Sequence, residues 1–403
     1  MPSPHILAVN IGSSSLKFAL YAFDAPHQDL DPTSFSGEYQ GLQPGGQLQL
    51  RLTQSAKRQE LPVQHQGETA LHAALQDLQA RIQAHLGGQT LLAVSHRVVH
   101  GGTQHWQPVL VDEAVLADLA RLEPLAPLHQ PHNLAGVRAF MAAMPDVPQV
   151  ACFDTAFHHS LPDLETRFAL PRAWHDQGVR RYGFHGLSYD YVSGWLGAHT
   201  AHGQGKVLMA HLGNGASLCA TRGGRSVATT MGFTALDGLM MGTRCGSLDA
   251  GVALHLLGQG MSPEALTQLL YKESGLLGVS GVSADMRQLH ASDDPHAQEA
   301  IDLFVYRAIR EAGGLIAVLQ GLDVLAFTGG IGEHDAKVRA AMVQGLSHLG
   351  LRLDDTANQA ANGNQPVAIH HADSRAEIWA VPTDEGRVAA RVAWQLLQAQ
   401  APA

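Results

Sequence analysis

The chain has 403 residues, 45% of them hydrophobic and 15% charged, and this length exceeds what one ordinary hydrophobic core accommodates, so we expect two domains. The formal net charge of −10 argues against nonspecific nucleic-acid binding, because such binding needs a basic surface that displaces counterions. No stretch reaches the roughly 18 apolar residues of a membrane-spanning helix and no basic segment precedes a long apolar run, so neither membrane insertion nor secretion is expected.

The N-terminal part of the chain alternates apolar strand patterns with polar turns. Ile6 to Val9 and Leu16 to Leu20 indicate two strands on either side of the polar stretch NIGSSS. The Gln-rich stretch from Gly41 to Gly67 contains short alternating runs, which favour a β-meander. From Thr69 to Leu86, apolar residues recur at helical spacing. The run LLAVSHRVVHGG, residues 91–102, predicts a buried strand that ends in a glycine turn.

The rest of the chain continues this alternation of helices and strands, which indicates the α/β class. Helices are predicted over Asp112 to Leu122 and Asn133 to Met144, with a proline-stiffened loop between them. The predicted strand PQVACFDTAFH, residues 148–158, is followed by a polar loop to Arg181. Further predicted elements are a strand, turn and strand at 206–221, helices at Pro263 to Leu270 and Ala297 to Leu319, a strand meeting a helix at 323–335, a strand at 377–382 and a helix from Gly386 to Gln398.

Two segments share one plan, LAVNIGSSSLKFAL at 7–20 and LMAHLGNGASLCAT at 208–221. Each has an apolar strand, a turn with Asn and Gly, small residues and a second strand, so we expect two related halves facing one cleft. In such a turn, backbone amides and serine hydroxyls donate to phosphate oxygens, since glycine lets the backbone approach an anion. Lys17 either adds charge to this site or points to solvent, and each turn taken alone also fits an ordinary hairpin.

A third glycine turn, FTGGIGEHD at 327–335, lies between a predicted strand and a predicted helix. A helix N-terminus preceded by glycines can accept a nucleotide, because the backbone approaches the ligand closely. The spacing is not the GxGxxG of a dinucleotide-binding fold, and the sequence contains no Walker A loop.

Arginines, histidines and carboxylates lie next to these turns. Arg97 and Arg244 end apolar runs beside glycines, where a guanidinium needs an anionic partner, either a bound substrate or a structural ion pair. His129 and His185 precede turns, but the chain has 24 histidines and most histidines are structural, so these two are candidates only because of their neighbours. The two remaining candidates are the carboxylates Asp154 and Glu385, which lie near the phosphate-type turns and together suggest a magnesium site. Alternatively, Asp154 is a helix N-cap and Glu385 an acidic residue in the first turn of a helix.

Nine blocks of the chain resemble the acetate kinase family in order and spacing from end to end: NIGSSSLKFAL, HRVVHGG, LAPLHQP, FDTAFH, RRYGFHG, HLGNGAS, MGFTALDGLMMGTR, FTGGIGE and PTDE. This resemblance implies the acetate and sugar kinase, actin and chaperone-ATPase superfamily, with two ribonuclease-H-like domains around a central nucleotide cleft. Residues 1–154 with 386–403 would form the first domain and residues 155–385 the second. The family is typically a homodimer, and three distant cysteines, Cys152, Cys219 and Cys245, suit a reducing cytoplasm.

The resemblance also implies roles for individual residues. Arg97 and Arg244 correspond to the arginines that hold the acyl substrate and the transferring phosphoryl group, and His185 to the histidine that stabilises that group. The implied catalytic set is Arg97, Asp154, His185 and Arg244. The implied substrate-binding set is Arg97, Val99, Leu128, His129 and Phe184, of which Val99, Leu128 and Phe184 form an apolar pocket. The implied phosphate and nucleotide set is Asn10, Ser13, Ser15, Lys17, His211, Leu212, Gly213, Asn214, Gly215, Gly329, Gly330, Ile331 and Gly332. The implied metal contacts are Asn10 and Glu385, with Asp154 nearby.

The chemistry expected of such a site is Mg²⁺-dependent transfer of the ATP γ-phosphoryl group to acetate, giving acetyl phosphate and ADP, with Mn²⁺ as an alternative ion. A carboxylate nucleophile is already ionised at neutral pH, so catalysis requires positioning and charge stabilisation and no general base. We therefore expect His185 to act as a hydrogen-bond donor. The alternatives are a kinase for longer acyl groups, a pyrophosphate-dependent enzyme and a non-catalytic ATP-driven binding module.

Several residues depart from the family pattern. Ala235 stands where a proline is usual beside the implied acyl pocket, so that propionate could enter as well as acetate. Cys245 adjoins Arg244, which predicts a lowered thiol pKa. The remaining departures are Leu187 and Tyr189 where Thr and His are usual, Ser247 where Asp is usual, His334 where Asn is usual and Gly386 where a second acid is frequent.

Overall fold

The computed structural model describes residues 4–23, 35–43, 45–54, 57–63 and 69–400. The chain divides into two compact units, Met1–Ala156 with Asp384–Ala403, and Phe157–Thr383. Each unit contains one β-sheet with helices, which confirms the predicted α/β class. Residues 44, 55, 56 and 64–67 of the predicted meander lie outside the described residues. None of the described helices is both long and apolar enough to cross a membrane.

Strands and helices alternate through most of the described chain. The strands are β1 (His5–Ile11), β2 (Ser15–Ala22), β3 (Phe35–Gln40), β4 (Gln49–Gln54), β5 (Lys57–Pro62), β6 (Leu91–Val98), β7 (Val109–Leu110), β8 (Gln149–Phe153), β9 (Lys206–Leu212), β10 (Ala216–Arg222), β11 (Arg225–Thr229), β12 (Val324–Thr328), β13 (Val367–Ala368) and β14 (Glu377–Ala380). The α-helices are α1 (Ala70–Leu86), α2 (Glu113–Ala120), α3 (Gln130–Ala143), α4 (Asp163–Thr166), α5 (Arg172–Asp176), α6 (Gly186–His199), α7 (Ala250–Gly258), α8 (Pro263–Lys272), α9 (Gly275–Ser280), α10 (Met286–His290), α11 (Pro295–Leu319), α12 (Gly329–His334), α13 (Ala336–Gly345), α14 (Asp355–Ala360) and α15 (Glu385–Gln400). Short 3-10 helices are Glu123–Leu125, Ala156–Ser160 and Ser347–Leu349.

The first unit contains a sheet with the strand order β5-β4-β3-β2-β1-β6-β8-β7. The strands β1 to β5 pair antiparallel in sequence order, and β4 and β5 lie in the stretch predicted as a β-meander, whereas β1, β6 and β8 are parallel. The carboxyl ends of these three parallel strands therefore meet at one edge of the sheet. In open α/β sheets, this edge is where ligands bind.

The second unit contains a sheet with the order β11-β10-β9-β12-β14-β13. The strand β9 forms an antiparallel hairpin with β10 and pairs in parallel with β12, which in turn pairs in parallel with β14. Five strands in each sheet thus have the same order and directions, β3-β2-β1-β6-β8 in one and β11-β10-β9-β12-β14 in the other. The repeat predicted from the two hairpins is confirmed, and it extends beyond them.

Three sequence-based assignments were wrong. The helix α3 begins at Gln130 and not at Asn133, because Pro131 lies in its first turn, where proline needs no N–H and has a suitable φ. The strand predicted over residues 148–158 ends at Phe153, and the 3-10 helix Ala156–Ser160 follows it. The segment predicted as a polar loop before Arg181 contains α4 and α5. Helices of four or five residues are too short to show an apolar period.

Candidate functional site

A cluster of polar side chains lies at the carboxyl ends of β1, β6 and β8 in the first unit. We call Asn10, Arg97, Asp154 and Glu385 the first-unit cluster. Arg97 donates from Nε to Asp154 Oδ1 at 2.9 Å and from Nη2 to Asp154 Oδ2 at 2.5 Å. Arg97 Nε also lies 3.4 Å from Glu385 Oε2, and its Nη1 donates to Asn10 Oδ1 at 3.4 Å. Parallel pairing of three strands thus joins residues that are far apart in the chain.

The charges of the first-unit cluster do not balance, because two carboxylates surround one guanidinium. Asp154 is 1% exposed. Burial, reinforced by the charge of Glu385, outweighs Arg97 and raises the pKa of Asp154 to about 6. Burial disfavours the charged form of Arg97 as well, but Asp154 and Glu385 together raise the pKa of Arg97 above its ordinary value. The cluster therefore favours an additional cation.

The donor atoms of this cluster suit a hard divalent cation. Carboxylate and amide oxygens are the ligands that Mg²⁺ takes, usually one or two carboxylates supplemented by waters and substrate phosphates. Within the described parts of the chain, no group of three or more His, Cys, Asp or Glu side chains is placed to hold a metal ion by itself. A divalent cation at Asn10, Asp154 and Glu385 would need further ligands, such as waters or a phosphate.

The hairpin between β1 and β2 carries the serines that follow Asn10 in the chain. The Gly12 N–H donates to the Ser15 carbonyl at 2.9 Å and closes the turn, while Ser13 is exposed. Asn10 and Lys17 are directly paired across the hairpin, so their side chains lie on the same face of the sheet. Lys17 is exposed to solvent, and it lies on the same face of the sheet as Asn10 of the first-unit cluster.

A second cluster lies in the second unit, where His185, Gly215 and Arg244 converge. A Cβ added to Gly215 would lie 3.2 Å from His185 Nε2 and 3.6 Å from Arg244 Nη2, so an imidazole and a guanidinium both reach this glycine. Arg244 Nη1 donates to the Ala235 carbonyl at 2.8 Å. His185 has a left-handed backbone (φ 59°) directly before α6, a conformation that costs a non-glycine residue energy and is concentrated at functional sites.

The loop of residues 212–215 adjoins the glycine turn of residues 329–332. The Gly213 N–H donates to the Gly215 carbonyl at 3.0 Å, which forms the tight turn between β9 and β10. Gly329 has φ 75°, and a Cβ there would lie 2.8 Å from the Leu212 carbonyl oxygen. Only glycine permits this approach. His211 precedes the loop on β9, and Asn214 at its tip is exposed. Gly330, Ile331 and Gly332 form the first turn of α12.

The residues implied for the acyl pocket lie on both units. Val99 is buried directly after β6, while Leu128 and His129 are half-buried just before α3. Asn133 in the first turn of α3 accepts a hydrogen bond from the Val99 N–H at 3.1 Å, which places the start of α3 beside Val99. Phe184, in the second unit, is buried before His185. A common pocket for these side chains stays a prediction.

Sequence reasoning missed several residues whose hydrogen bonds position the elements of the site. Asn133 Nδ2 donates to the Ile11 carbonyl at 2.6 Å and so links α3 to β1 as well as to β6. Glu333 accepts hydrogen bonds from the N–H groups of Gly329 at 3.0 Å and Thr383 at 3.1 Å, which joins the glycine turn to the segment that follows β14. A polar residue directly after a glycine turn or proline loop is the signal that could have found both.

Two of the departures from the family pattern have structural explanations. A Cβ on Gly386 would lie 2.7 Å from the Tyr21 hydroxyl, and that hydroxyl donates to Asp384 Oδ1 at 2.7 Å. The tyrosine therefore occupies the space that a second acidic side chain would need. The Ser247 hydroxyl donates to Asp237 Oδ1 at 2.7 Å and accepts from the Gly238 N–H, so Ser247 supports the segment before Arg244.

The prediction of a lowered thiol pKa at Cys245 was wrong. Burial raises the pKa of Cys245, and the charge of Asp237 adds to this rise, while Arg307 opposes it. Sequence adjacency to Arg244 had suggested an electropositive environment. The Arg244 guanidinium instead donates to the Ala235 carbonyl and extends towards Gly215, so it does not lower the pKa of the Cys245 thiol.

These features can be compared with known proteins. A family model described as the acetokinase family matches residues 5–391. The chain belongs to this family. It is 49% identical to the acetate kinase of Rhodopseudomonas palustris over 395 residues, which cover 97% of this chain and 98% of the relative.

Two solved structures resemble the chain closely. The Porphyromonas gingivalis acetate kinase has a TM-score of 0.84 at 32% identity, with 98% of this chain and 100% of that chain covered. A Francisella tularensis propionate kinase has a TM-score of 0.86 at 33% identity, with 96% of this chain and 98% of that chain covered. The family, the kinase class of enzyme and the superfamily fold that were predicted from the sequence are confirmed.

Proposed function

We propose that this protein catalyses the reversible transfer of the ATP γ-phosphoryl group to acetate. The observation that carries this proposal is the convergence of His185 Nε2 and the Arg244 guanidinium on Gly215 of a phosphate-type loop. Two hydrogen-bond donors at one glycine suit a group whose negative charge spreads over its equatorial oxygens, as in phosphoryl transfer. Family membership supports a carboxylate as the acceptor, and a carboxylate needs no base.

In the second unit, the proposal assigns ATP to the loop of residues 212–215 and the turn of residues 329–332. Their backbones adjoin, so one nucleotide could contact the first with its phosphates and the second with adenosine. Arg244 neutralises charge on the transferring group. His185 donates a hydrogen bond to that group from Nε2 and abstracts no proton.

In the first unit, Ser13, Ser15 and Lys17 are assigned to phosphate oxygens and Arg97 to the anionic substrate. Because Asp154 occupies the Nε and Nη2 edge of Arg97, the substrate would contact the Nη1 side. Mg²⁺, or Mn²⁺ in its place, would be held by Asn10, Asp154 and Glu385 and would supply charge neutralisation on the β- and γ-phosphates. The excess of carboxylates in the first-unit cluster supports this assignment.

We also propose that the protein works as a cytoplasmic homodimer that binds neither membranes nor nucleic acid. The helix α7 supports the dimer, because no residue of this helix is buried although its sequence, AGVALHLLG, is almost entirely apolar. A contiguous apolar helix face is a typical protein interface. The net charge of −10 supports the absence of nucleic acid among the partners.

A hydroxylamine-trapping assay for acyl phosphate tests the proposed function directly. The full-length protein with Mg-ATP is offered formate, acetate, propionate or butyrate, and pyrophosphate replaces ATP in a parallel series. We expect strong turnover with acetate, some with propionate because Ala235 is small, and little with butyrate or with pyrophosphate. The absence of turnover with every carboxylate, while ATP binding persists in calorimetry, would contradict the proposal and favour a non-catalytic ATP-driven module.

A further inference from the structure

A chain of hydrogen bonds runs from the interior of the second unit to His185. The Tyr189 hydroxyl oxygen lies 2.5 Å from Ser217 Oγ, and Ser217 Oγ lies 2.9 Å from His185 Nδ1. We propose that Tyr189 is a positioning residue for the phosphoryl-transfer step, acting through Ser217 to keep the proton of His185 on Nε2. The inference rests on the proposed function, because it concerns the atom that faces the transferring group. Tyr189 stands where the family usually has a histidine.

The location of Tyr189 explains why its hydroxyl is available for this purpose. The side chain is fully buried and packs in an apolar cluster that includes Val192, Val207, Met209 and Val324. A hydroxyl group in such surroundings must be hydrogen-bonded, because leaving it unpaired costs several kilocalories per mole. Its position in the first turn of α6, four residues after His185, directs it to the far side of Ser217.

The direction of the hydrogen bonds follows from the number of donors available. Ser217 Oγ lies within hydrogen-bond distance of the buried Tyr189 hydroxyl, and a buried phenol hydrogen needs an acceptor, so the single phenol hydrogen is directed at Ser217. The Ser217 hydroxyl then has its own hydrogen left for His185 Nδ1. An imidazole that accepts at Nδ1 carries its proton at Nε2 in the neutral form. Burial raises the pKa of Tyr189 well above its ordinary value, so the phenol stays protonated and remains a donor.

The opposite side of the imidazole ring is also restrained. The rings of His185 and His211 stack with their centroids 4.2 Å apart, and His211 Nδ1 lies 2.8 Å from Ser188 Oγ. Ser188 and Tyr189 are neighbours in the first turn of α6, so one helical turn restrains both rings. His185 Nε2 faces Gly215, where the proposal requires a hydrogen-bond donor.

Steady-state kinetics of Tyr189→Phe test the inference. The substitution keeps the aromatic packing and removes only the hydroxyl group, so Ser217 can turn away from His185. We expect kcat to fall about tenfold, while KM for acetate and for Mg-ATP stays within about twofold, because the lost interaction acts on the transition state. The matched control is Tyr39→Phe, which removes an equally buried hydroxyl that donates to Asp77 in the first unit. Its kcat should match that of the wild type.

A double-mutant comparison separates positioning from folding. Tyr189→Phe should cause no further loss of kcat in a Ser217→Ala background or in a His185→Gln background, which itself keeps part of the activity. An equal loss in all three backgrounds would mean that Tyr189 contributes through packing alone and would overturn the inference. Unchanged kcat in Tyr189→Phe would overturn it as well.

Nitrogen-15 NMR of histidine-labelled protein gives a readout that does not depend on activity. The signals of His185 are assigned by their loss in His185→Gln. In the wild type we expect the proton on Nε2, and in Tyr189→Phe a mixture of both tautomers. A proton on Nδ1 in the wild type would refute the positioning role of Tyr189 even if acetate is phosphorylated. Conversely, if the protein has no kinase activity but His185 carries its proton on Nε2, the proposed function is wrong and the hydrogen-bond chain from Tyr189 to His185 is retained.

Discussion

At the scale of single residues, three buried histidines lower the stability of the protein in acid, and Asp154, whose pKa is raised, partly opposes them. Burial lowers the pKa of His96, His100 and His158 to about 4 in each case. His158 contacts the Phe184 carbonyl with Nε2 at 2.9 Å, and this carbonyl can only accept, so Nε2 carries the proton and the neutral ring is satisfied without a second one. The unfolded chain binds protons at these residues near pH 6.5, whereas the folded chain does so only near pH 4.

We therefore predict that the free energy of unfolding falls as the pH is lowered from about 6.5 to about 4. In this window the unfolded state binds more protons than the folded state, so stability increases with pH by about 1.4 kcal/mol per unit for each histidine. Urea unfolding at a series of pH values measures this slope. The variant His96→Gln keeps a donor for Gln149, and the slope of its unfolding free energy against pH should be smaller by about 1.4 kcal/mol per pH unit, the contribution of one histidine. Identical slopes in the two proteins would contradict the assignment.

At the scale of secondary structure elements, the glycine turn before α12 depends on a buried arginine. Arg339 in α13 is fully buried and donates to the carbonyl oxygens of Gly332 and Glu333 at 2.9 Å. It also donates to Asn358 Oδ1 at 2.7 Å and to the carbonyls of Asn358 and Ala361. The carboxyl end of α12 is thus capped from another helix and joined to α14. The burial lowers the pKa of Arg339.

Arg339→Met is predicted to destabilise the protein by about 3 to 5 kcal/mol, because the buried carbonyl groups lose their donors. Arg339→Lys should recover little of this loss, since an ammonium group cannot reproduce the planar arrangement of donors. Chemical denaturation provides the measurement. Arg287→Met is the matched control: that side chain is exposed and paired with Asp285, and its removal should leave stability essentially unchanged. A similar small effect for Arg339→Met would show that the cap is dispensable.

At the scale of the whole molecule, the exposed apolar residues around α7 predict self-association. Leu254 is 70% exposed, and the set that accompanies it comprises Leu248, Val252 and Leu257. Covering this face with the same face of a second copy would give a symmetric interface. We expect the full-length protein to sediment as a dimer, with twice its mass of 42.9 kDa.

A charge placed in this face should prevent association. Leu254→Glu is predicted to shift the protein to monomers in sedimentation equilibrium, because the carboxylate would have to be buried without a partner. Leu164→Glu introduces the same change at another exposed leucine, on α4, and should leave the dimer intact. A monomeric wild type, or a Leu254→Glu variant that dimerises as strongly as wild type, would contradict the role given to α7.

Much of the fold could be predicted because residues close in sequence specify many of its strands, turns and helix ends. The two hairpins at 7–20 and 208–221 have alternating apolar residues and glycine turns, and each specifies its own strand pairing through contacts close in sequence. The N-cap of α1 at Thr69 and its end at Gly87 also follow from residue type, since Thr accepts from the His72 N–H and Gly87 adopts a left-handed backbone.

The segments that were misplaced lack such local patterns. The helices α4 and α5 have too few residues for a period, and their boundaries depend on what they pack against. The start of α3 was likewise obscured by prolines, which are compatible both with a loop and with the first turn of a helix.

For the candidate site, the sequence by itself determined the residue types and their places at strand ends: Asn10, Arg97 and Asp154, and the glycines of three turns. Only the tertiary structure decided which of them meet and in what charge state. Arg97 and Asp154 are paired because parallel strands align, and the pKa of the Cys245 thiol is raised because the side chain is buried, while the guanidinium of its sequence neighbour Arg244 is directed to the Ala235 carbonyl. Desolvation and hydrogen-bond direction depend on every group that surrounds an atom, and most of those groups come from distant parts of the chain.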